Sequence, residues 1–364
     1  PAVASAWNVV VPKHIMDAKG DVTKDVIGTG PFKFKEHIRG VSWELVKNPD
    51  YWVAGKPYLD GIITYIIPDA SNRLAAFRTK RVNLWYNYSP PSPTDATTLT
   101  KQFGDQIWVQ ESGYWGFGGI TFNLKRYPWT DIRARNAVDL MVNRDEALKI
   151  AFKSTGGAHH GIMSPEGPWG TPEAELLKRP GWRQPKDQDS AEAKSLIAQM
   201  DVPRGFKVSI MTRQGGIYDD HAVYAKSVLD SLGFDASIKT LETGASLQAL
   251  TSGDFDVAAY HYAYPIDDPD SVFGDFYTSK GERVAPGYSN KTLDEFFVKQ
   301  TGTVDFAARK KIVDEMTEIA FNDHSRAIFG VVKWITVGWK EVQGWQQWAG
   351  FYNNLNMADV WIAK

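Results

Sequence analysis

Residues 189–262 alternate regularly between helix-like and strand-like segments, and no other stretch constrains the fold as much. Apolar residues recur at helical spacing in three segments, and short apolar segments of strand length separate them. The helices are predicted at about 189–200, 217–232 and 245–251, and the strands at 206–211, 235–241 and 255–262. Gly233 predicts the end of the second helix. This β-α-β-α-β order predicts a parallel sheet covered by helices.

Composition narrows the class of protein. A chain of 364 residues exceeds the usual size of a single core, so two domains are expected. The net charge is −2, which predicts no nucleic-acid partner. The chain has no cysteine, so disulfides, thiolate catalysis and cysteine metal sites are excluded. No apolar run approaches the length of about 20 residues that a membrane span needs.

A glycine-proline turn opens a second informative stretch at residues 28–52. Gly28, Gly30 and Pro31 suit a tight turn, because glycine permits positive φ and proline fixes φ. Two alternations of apolar and polar residues follow, at 32–34 and 41–45. They predict a β-hairpin with one buried face, formed by Phe32, Phe34, Val41, Trp43 and Leu45.

The same stretch resembles the extracellular solute-binding proteins of ABC importers, family 5, which includes oligopeptide, dipeptide and nickel binders. In that family a GTGPF-type turn, here starting at Gly28, leads to a strand and then to LVKNPDYW, here residues 45–52. Further segments resemble the family in order along nearly the whole chain. They are residues 56–60, 63–68, 72–77, 120–123, 128–137, 254–257, 268–270 and 359–361.

The resemblance implies an α/β fold, the two-lobed periplasmic binding protein of type II. Lobe I is expected at 1–117 with a return segment at 326–364, and lobe II at 118–325. The lobes would close on a ligand about crossings near 113–122 and 326–337. Because the GTGPF turn comes much later in the family, we expect a C-terminal fragment that lacks the family's N-terminal portion.

The function implied by the resemblance is capture of a peptide-like or other small solute and its delivery to the permease subunits of an ABC transporter. The expected location is the periplasm or the cell exterior, with membrane association through the transporter. Within the same fold, an oligosaccharide or a small metabolite is an alternative ligand. A glycoside hydrolase is the alternative from a different class.

Tyr260, His261, Tyr262 and Tyr264 end a predicted strand at the carboxyl edge of the sheet, where ligands of open α/β sheets bind. In the family's peptide binders an aspartate after this strand pairs with the peptide amine, and that position is Pro265 here. A free peptide amine is therefore expected to bind poorly unless Asp267 substitutes. The alternative for these aromatic side chains is that they fill the core.

The remaining candidates come from other motifs. Trp115 and Phe117 lie in a glycine-rich segment at 113–119 that predicts either an irregular loop or a hinge with aromatics at a cleft. Asn123 ends the family-like segment 120–123, and Trp334 lies where the family has an aromatic near its final crossing strand. The predicted ligand-binding residues are Trp115, Phe117, Asn123, Tyr260, His261, Tyr262, Tyr264, Asp267 and Trp334.

No pattern predicts a catalytic residue, a metal or a cofactor. His159 and His160 with Glu166 lack the spacing of zinc ligands and predict a loop. The acidic cluster at 267–270 lacks the calcium-loop pattern, and it predicts the N-cap of a helix near 270–277. Its carboxylates also lie too close together to flank a sugar convincingly. We therefore expect a binding protein and not an enzyme.

Overall fold

The computed structural model describes residues 11–20, 27–86, 90–153, 155–264, 266–347 and 356–363, and of Trp115 it describes only the backbone. The chain forms two compact units. Unit 1 is Gly113–Lys333, and unit 2 combines Ala2–Ser112 with Trp334–Lys364. The division into lobes at 117 and 326 stays a prediction. None of the described helices has both the length and the apolar character needed to cross a bilayer.

Unit 1 carries helices and strands in alternation. Its strands are β6 (Trp115–Phe122), β7 (Gly157–Ala158), β8 (Lys207–Arg213), β9 (Asp235–Leu241), β10 (Val257–Tyr262) and β11 (Arg326–Val332). Its helices are α4 (Ile132–Met141), α5 (Arg144–Ile150), α6 (Glu173–Leu176), α7 (Asp187–Ala198), α8 (Ile217–Ser231), α9 (Thr243–Ser252), α10 (Pro269–Phe276), α11 (Lys291–Thr301) and α12 (Phe306–Asn322).

The strands of unit 1 form one six-stranded sheet in the order β7-β11-β6-β10-β8-β9. The predicted parallel part is confirmed, because β8 pairs in parallel with both β9 and β10. The sheet as a whole is mixed, since β6 runs antiparallel to β10 and to β11, and β7 antiparallel to β11. In the β6–β10 register Gly118 lies opposite His261, and Phe117 lies opposite Tyr262.

Side-chain caps fix several helix starts, as their residue types predict. The carboxylates of Asp69 and Asp131 accept backbone hydrogen bonds at the starts of α2 (Ala70–Arg78) and α4. Asn143 caps α5 and Asp268 caps α10 in the same way. Each cap satisfies a backbone N–H that has no partner inside the helix.

The described part of unit 2 contains three small sheets and three α-helices. Its strands are β1 (Phe32–Ile38), β2 (Ser42–Lys47), β3 (Gly61–Tyr65), β4 (Leu84–Trp85), β5 (Ile107–Glu111), β12 (Ile335–Trp339), β13 (Val342–Gln343) and β14 (Trp361–Ile362). Its helices are α1 (Lys13–Lys19), α2 and α3 (Pro93–Phe103). The sheets have the orders β1-β2-β3, β4-β12-β5 and β13-β14.

The hairpin of β1 and β2 is confirmed, but the predicted burial of its apolar face is wrong at three of the five positions, whereas Phe32 and Leu45 are half-buried. The two strands pair in antiparallel fashion and extend to β3. Phe34, Val41 and Trp43 are 39%, 51% and 48% exposed. Alternation reports which side chains share a face, but burial also requires an element that packs on that face.

The apolar run at 327–337 contains parts of two strands, β11 and β12. The backbone leaves the sheet of unit 1 at the end of β11 and enters a sheet of unit 2 at β12. Both strands are buried at every position, so hydrophobicity alone could not locate the break between them.

Candidate functional site

The carboxyl edge of the sheet in unit 1 collects polar groups. Because β8, β9, β10 and β11 point the same way and β6 points the opposite way, the ends of four strands meet the start of β6 at this edge. Open α/β sheets bind their ligands at such an edge. The strand directions therefore select this edge as the candidate site, and the side chains there decide its chemistry.

Arg213, the last residue of β8, supplies a cation at this edge. Its Nη1 donates to the Tyr218 hydroxyl at 3.5 Å, and its guanidinium carbon lies 5.0 Å from the Tyr218 ring centroid. Among the described residues, Nε of Arg213 is buried without a hydrogen-bond partner, and the guanidinium forms no ion pair. The nearest groups are neutral tyrosines, and burial raises the pKa of Tyr218 to about 12. The positive charge is therefore not compensated by these neighbours.

Asp267, in the loop after β10, supplies an anion. The backbone N–H of Ser164 donates to its carboxylate, and the carboxylate packs over Gly167, where an added Cβ would lie 1.8 Å from Oδ2. Its Oδ1 is buried without a partner among the described residues. Burial, assisted by the charge of Asp268, raises the pKa of Asp267 to about 6. A donor that reached Oδ1 would satisfy this oxygen.

The neighbouring carboxylates are already engaged. Asp268 and Asp270 both lie beside Arg309, at 2.8 Å and 3.4 Å from its Nη2. The amide of Gln300 donates to Asp270 as well. The acidic cluster at 267–270 thus divides into a helix cap with an ion pair and one carboxylate, Asp267, that keeps an open oxygen.

Tyr114, Glu166 and Lys333 form a second polar group at the same edge. The backbone N–H of Tyr114 donates to Glu166 Oε2 at 3.2 Å. Lys333 Nζ lies 3.8 Å from Glu166 Oε1 and 4.4 Å from the centroid of the Tyr114 ring. The opposite charges of Glu166 and Lys333 neutralise each other.

The predicted aromatic residues belong to the core cluster of unit 1. Phe117, Tyr260, Tyr262 and Tyr264 are 1%, 4%, 5% and 2% exposed. Phe117 and Tyr262 both contact the ring of Phe276 edge-on, at 5.1 Å and 5.4 Å between centroids. Tyr260 reaches the candidate site, because its ring lies 4.8 Å from that of Tyr218. The role of the aromatics as a ligand-facing wall stays a prediction.

The other predicted residues have different surroundings. The amide of Asn123 donates to the carbonyls of Gly253 and Phe255, both at 2.9 Å. Trp334 is a half-buried residue of unit 2, and its backbone N–H donates to Ser112 Oγ at 2.9 Å. Pro265 and the side chain of Trp115 lie outside the described residues. Ligand contacts by these residues also stay predictions.

Three histidines are buried beside the candidate site. His221 Nδ1 lies 2.9 Å from the carbonyl oxygen of Ala151, and an added Cβ on Gly118 would come within 1.7 Å of His221 Nε2. The rings of His221 and His261 are 6.1 Å apart, and His160 is 1% exposed. Across the described part of the chain, no three His, Cys, Asp or Glu residues are grouped to hold a metal ion.

Sequence reasoning included Asp267 among its candidates and did not include Arg213. The available signal was an arginine two residues beyond the predicted strand end at 211, on a strand parallel to the one that carries Tyr260. The sequence does not show whether such an arginine pairs with a nearby carboxylate. Only the structure shows that its neighbours are neutral tyrosines.

Comparison with known proteins agrees with the fold. The chain shows 25% identity over 310 residues to Di/tripeptide-binding protein 2 of Pseudomonas aeruginosa, covering 84% of this chain and 56% of that protein. It shows 21% identity over 310 residues to the Dipeptide-binding protein of Escherichia coli, covering 83% and 55%. The chain thus spans little more than half the length of these relatives.

Solved structures give the same picture. The binding protein AgaA of A. tumefaciens R10, in complex with agropinic acid, superposes with a TM-score of 0.86 at 24% identity, covering all of this chain and 73% of that one. The periplasmic binding protein DppA of Helicobacter pylori, in complex with the peptide STSA, superposes with a TM-score of 0.81 at 21% identity, covering 100% and 70%. The predicted α/β fold of a periplasmic binding protein is confirmed.

The sequence model of one family covers most of the chain. It is described as bacterial extracellular solute-binding proteins, family 5 middle, and it matches residues 1–283. Because this match exceeds half of the 364 residues and the fold agrees with it, the chain belongs to the family 5 extracellular solute-binding proteins.

Proposed function

We propose that this chain binds a peptide-like solute carrying both a carboxylate and an amine at the carboxyl edge of unit 1. The observation that carries the proposal is the pair of opposite charges at that edge. Arg213 and Asp267 each keep a buried polar atom without a partner among the described residues. In the complete protein, the solute would then pass to the permease of an ABC transporter in the periplasm or at the cell exterior.

The energetics favour a ligand with both charges. A buried polar atom without a partner costs about 1–3 kcal/mol, and a ligand group that bonds to it removes this cost. A carboxylate can accept two parallel hydrogen bonds from the planar guanidinium of Arg213. An ammonium can donate to Oδ1 of Asp267 and keeps that carboxyl ionised.

The named relatives support this choice of ligand class. Two of them are di/tripeptide- or dipeptide-binding proteins, and one neighbouring structure holds a peptide. An oligosaccharide offers neither charge, so its hydroxyls can form hydrogen bonds with Arg213 and Asp267 but leave the two charges uncompensated. A small charged metabolite fits the proposal if it carries both groups.

We propose binding without turnover. A glycoside hydrolase needs two carboxyl groups that flank the scissile bond. At this edge Asp268 and Asp270 pair with Arg309, and Glu166 is held by Lys333 and Tyr114. Asp267 is then the single described carboxylate of this group with an open oxygen.

Calorimetry with a ligand panel tests the proposal. Di- to pentapeptides are offered free, N-acetylated and C-amidated, beside uncharged oligosaccharides of similar size. We expect free peptides to bind, and each blocking group to weaken binding by about 30-fold or more, since breaking a buried charge pair costs about 2 kcal/mol or more. Tight binding of an oligosaccharide, or equal affinity for free and doubly blocked peptides, would contradict the proposal.

A further inference from the structure

The loop from His159 to Glu173 forms one side of the candidate site. Ser164 donates its backbone N–H to Asp267, and Gly167 packs against the same carboxylate. Glu166, between them, accepts from the backbone of Tyr114 and lies beside Lys333. The position of this loop therefore sets the surroundings of the anionic group that the proposed function uses.

The two ends of this loop are tied together by one imidazole. His159 Nδ1 lies 2.7 Å from Glu173 Oε1, in the first turn of α6. His159 Nε2 lies 2.8 Å from Asp145 Oδ1, in the first turn of α5. The ring is 11% exposed, whereas the two carboxylates are about half exposed or more, at 61% and 50%. One side chain thus joins the loop base to two helices.

Hydrogen-bond chemistry makes this contact depend on a proton. A carboxylate only accepts, and a neutral imidazole has a single N–H, so it can serve one of the two carboxylates. The imidazolium has two N–H groups and serves both. Histidine is the side chain whose unperturbed charge changes between pH 5 and 8.

We propose that His159 is a positioning residue that clasps the loop 159–173 when its ring carries two protons and loosens the loop when the ring is neutral. The inference rests on the proposed function in one respect, because the proposed function makes this loop part of the ligand-binding site. Asp145 on α5 and Glu173 on α6 are the charged groups that the structure places against the ring. The neighbouring His160 is turned away from them, with Nδ1 at 2.6 Å from its own loop's Gly161 carbonyl.

Hydrogen exchange of the ligand-free chain tests the clasp. Backbone protection of residues 161–172 is measured at pH 5.5 and 8.0 and corrected for intrinsic exchange rates. Because His160 in this loop and Asp267 beside it also make the loop's stability depend on pH, the clasp is measured as the ratio of protection at pH 5.5 to protection at pH 8.0. We expect this ratio to be about two- to fivefold higher in the wild type than in variants that lack the clasp, the size of a partly exposed ion pair. The variants Glu173→Gln and His159→Gln are expected to share the same lower ratio.

Glu175→Gln is the matched control, because Glu175 is an exposed carboxylate on the same helix. This variant is expected to keep the wild-type pH response. The inference is overturned if the wild-type ratio is equal to or below that of Glu173→Gln and His159→Gln, or if Glu175→Gln behaves like Glu173→Gln. No ligand is present in this experiment, so its failure leaves the proposed function standing, and failure of the ligand panel leaves the clasp standing.

Discussion

The free energy of unfolding of unit 1 is expected to fall by about 2–3 kcal/mol per pH unit as the pH is lowered from 6 to 5. The cause is the group of three buried histidines. Burial lowers the pKa of His160 and of His221 to about 4. Burial lowers the pKa of His261 to about 3, and the repulsion that a proton on His261 would meet from His221 and His160 contributes.

The sign follows from proton uptake. Below a pH of about 6.5 an unfolded histidine binds a proton, whereas these three stay neutral in the folded state until much lower pH. The unfolded state then binds more protons, so acid favours unfolding. Asp267 acts in the opposite direction, because its folded pKa of about 6 is raised and it takes up a proton in the folded state. Near pH 5.5 this uptake by folded Asp267 offsets less than one of the three protons that the unfolded state binds at these histidines.

Urea denaturation across this pH range checks the expectation, with hydrogen exchange of peptides from β6 and β10 as the probe. His221→Asn should reduce the slope by about one proton, or 1.4 kcal/mol per pH unit. His14→Gln, at an exposed position of unit 2, should not change it. A wild-type slope near zero, or a slope that His221→Asn leaves unchanged, would show that these histidines are not neutral in the folded state.

Replacing Arg144 with methionine is expected to destabilise unit 1 by about 3–5 kcal/mol, the range for breaking a buried ion pair. Arg144 and Asp139 are 2% and 7% exposed and are bonded to each other. Arg144 also donates to the carbonyls of Gly181 and Ile328, and its guanidinium carbon lies 3.6 Å from the Trp182 ring centroid.

The cost arises from the partner that remains. Burial alone would raise the pKa of Asp139, but Arg144 and His324 hold it below its usual range. Without Arg144, the buried carboxylate keeps, among the side chains that the structure describes, His324 at 3.2 Å. Urea denaturation of Arg144→Met measures the effect, with Arg204→Gln as the exposed control. The double variant Arg144→Met, Asp139→Leu should recover part of the loss, and no recovery would contradict this account.

Local signals predicted the regular elements of unit 1 well. The six elements expected between 189 and 262 are α7, β8, α8, β9, α9 and β10, with ends that differ by a few residues. Apolar spacing and caps such as Asp131 and Asn143 act within one or two turns, so the sequence contains them directly. The strand order was not predictable in this way, because the antiparallel β6 joins the sheet from a distant part of the chain.

Contacts between distant residues limited the prediction of the site. Asp267 was predicted as a candidate, but its open oxygen depends on Ser164 and Gly167, about a hundred residues earlier. His159 was interpreted as a loop residue, since its partners Asp145 and Glu173 lie fourteen residues to either side. The neutral surroundings of Arg213 likewise follow from packing against Tyr218 and Tyr260, which no spacing rule predicts.

Calorimetry on charge-removing variants tests the central claim most directly. The free peptide that binds best, its N-acetylated form and its C-amidated form are titrated into wild-type protein, Asp267→Asn and Arg213→Gln. Asp201→Asn and Arg204→Gln, at exposed positions, are the matched controls. We expect each site variant to bind the free peptide about 30-fold more weakly, and the controls to bind it as wild type does.

Asp267→Asn should no longer distinguish the acetylated peptide from the free one, and Arg213→Gln should no longer distinguish the amidated peptide from the free one. Wild-type affinity in both site variants, or blocking groups that cost as much in the variants as in the wild type, would contradict the claim that Arg213 and Asp267 bind the two charges of the solute.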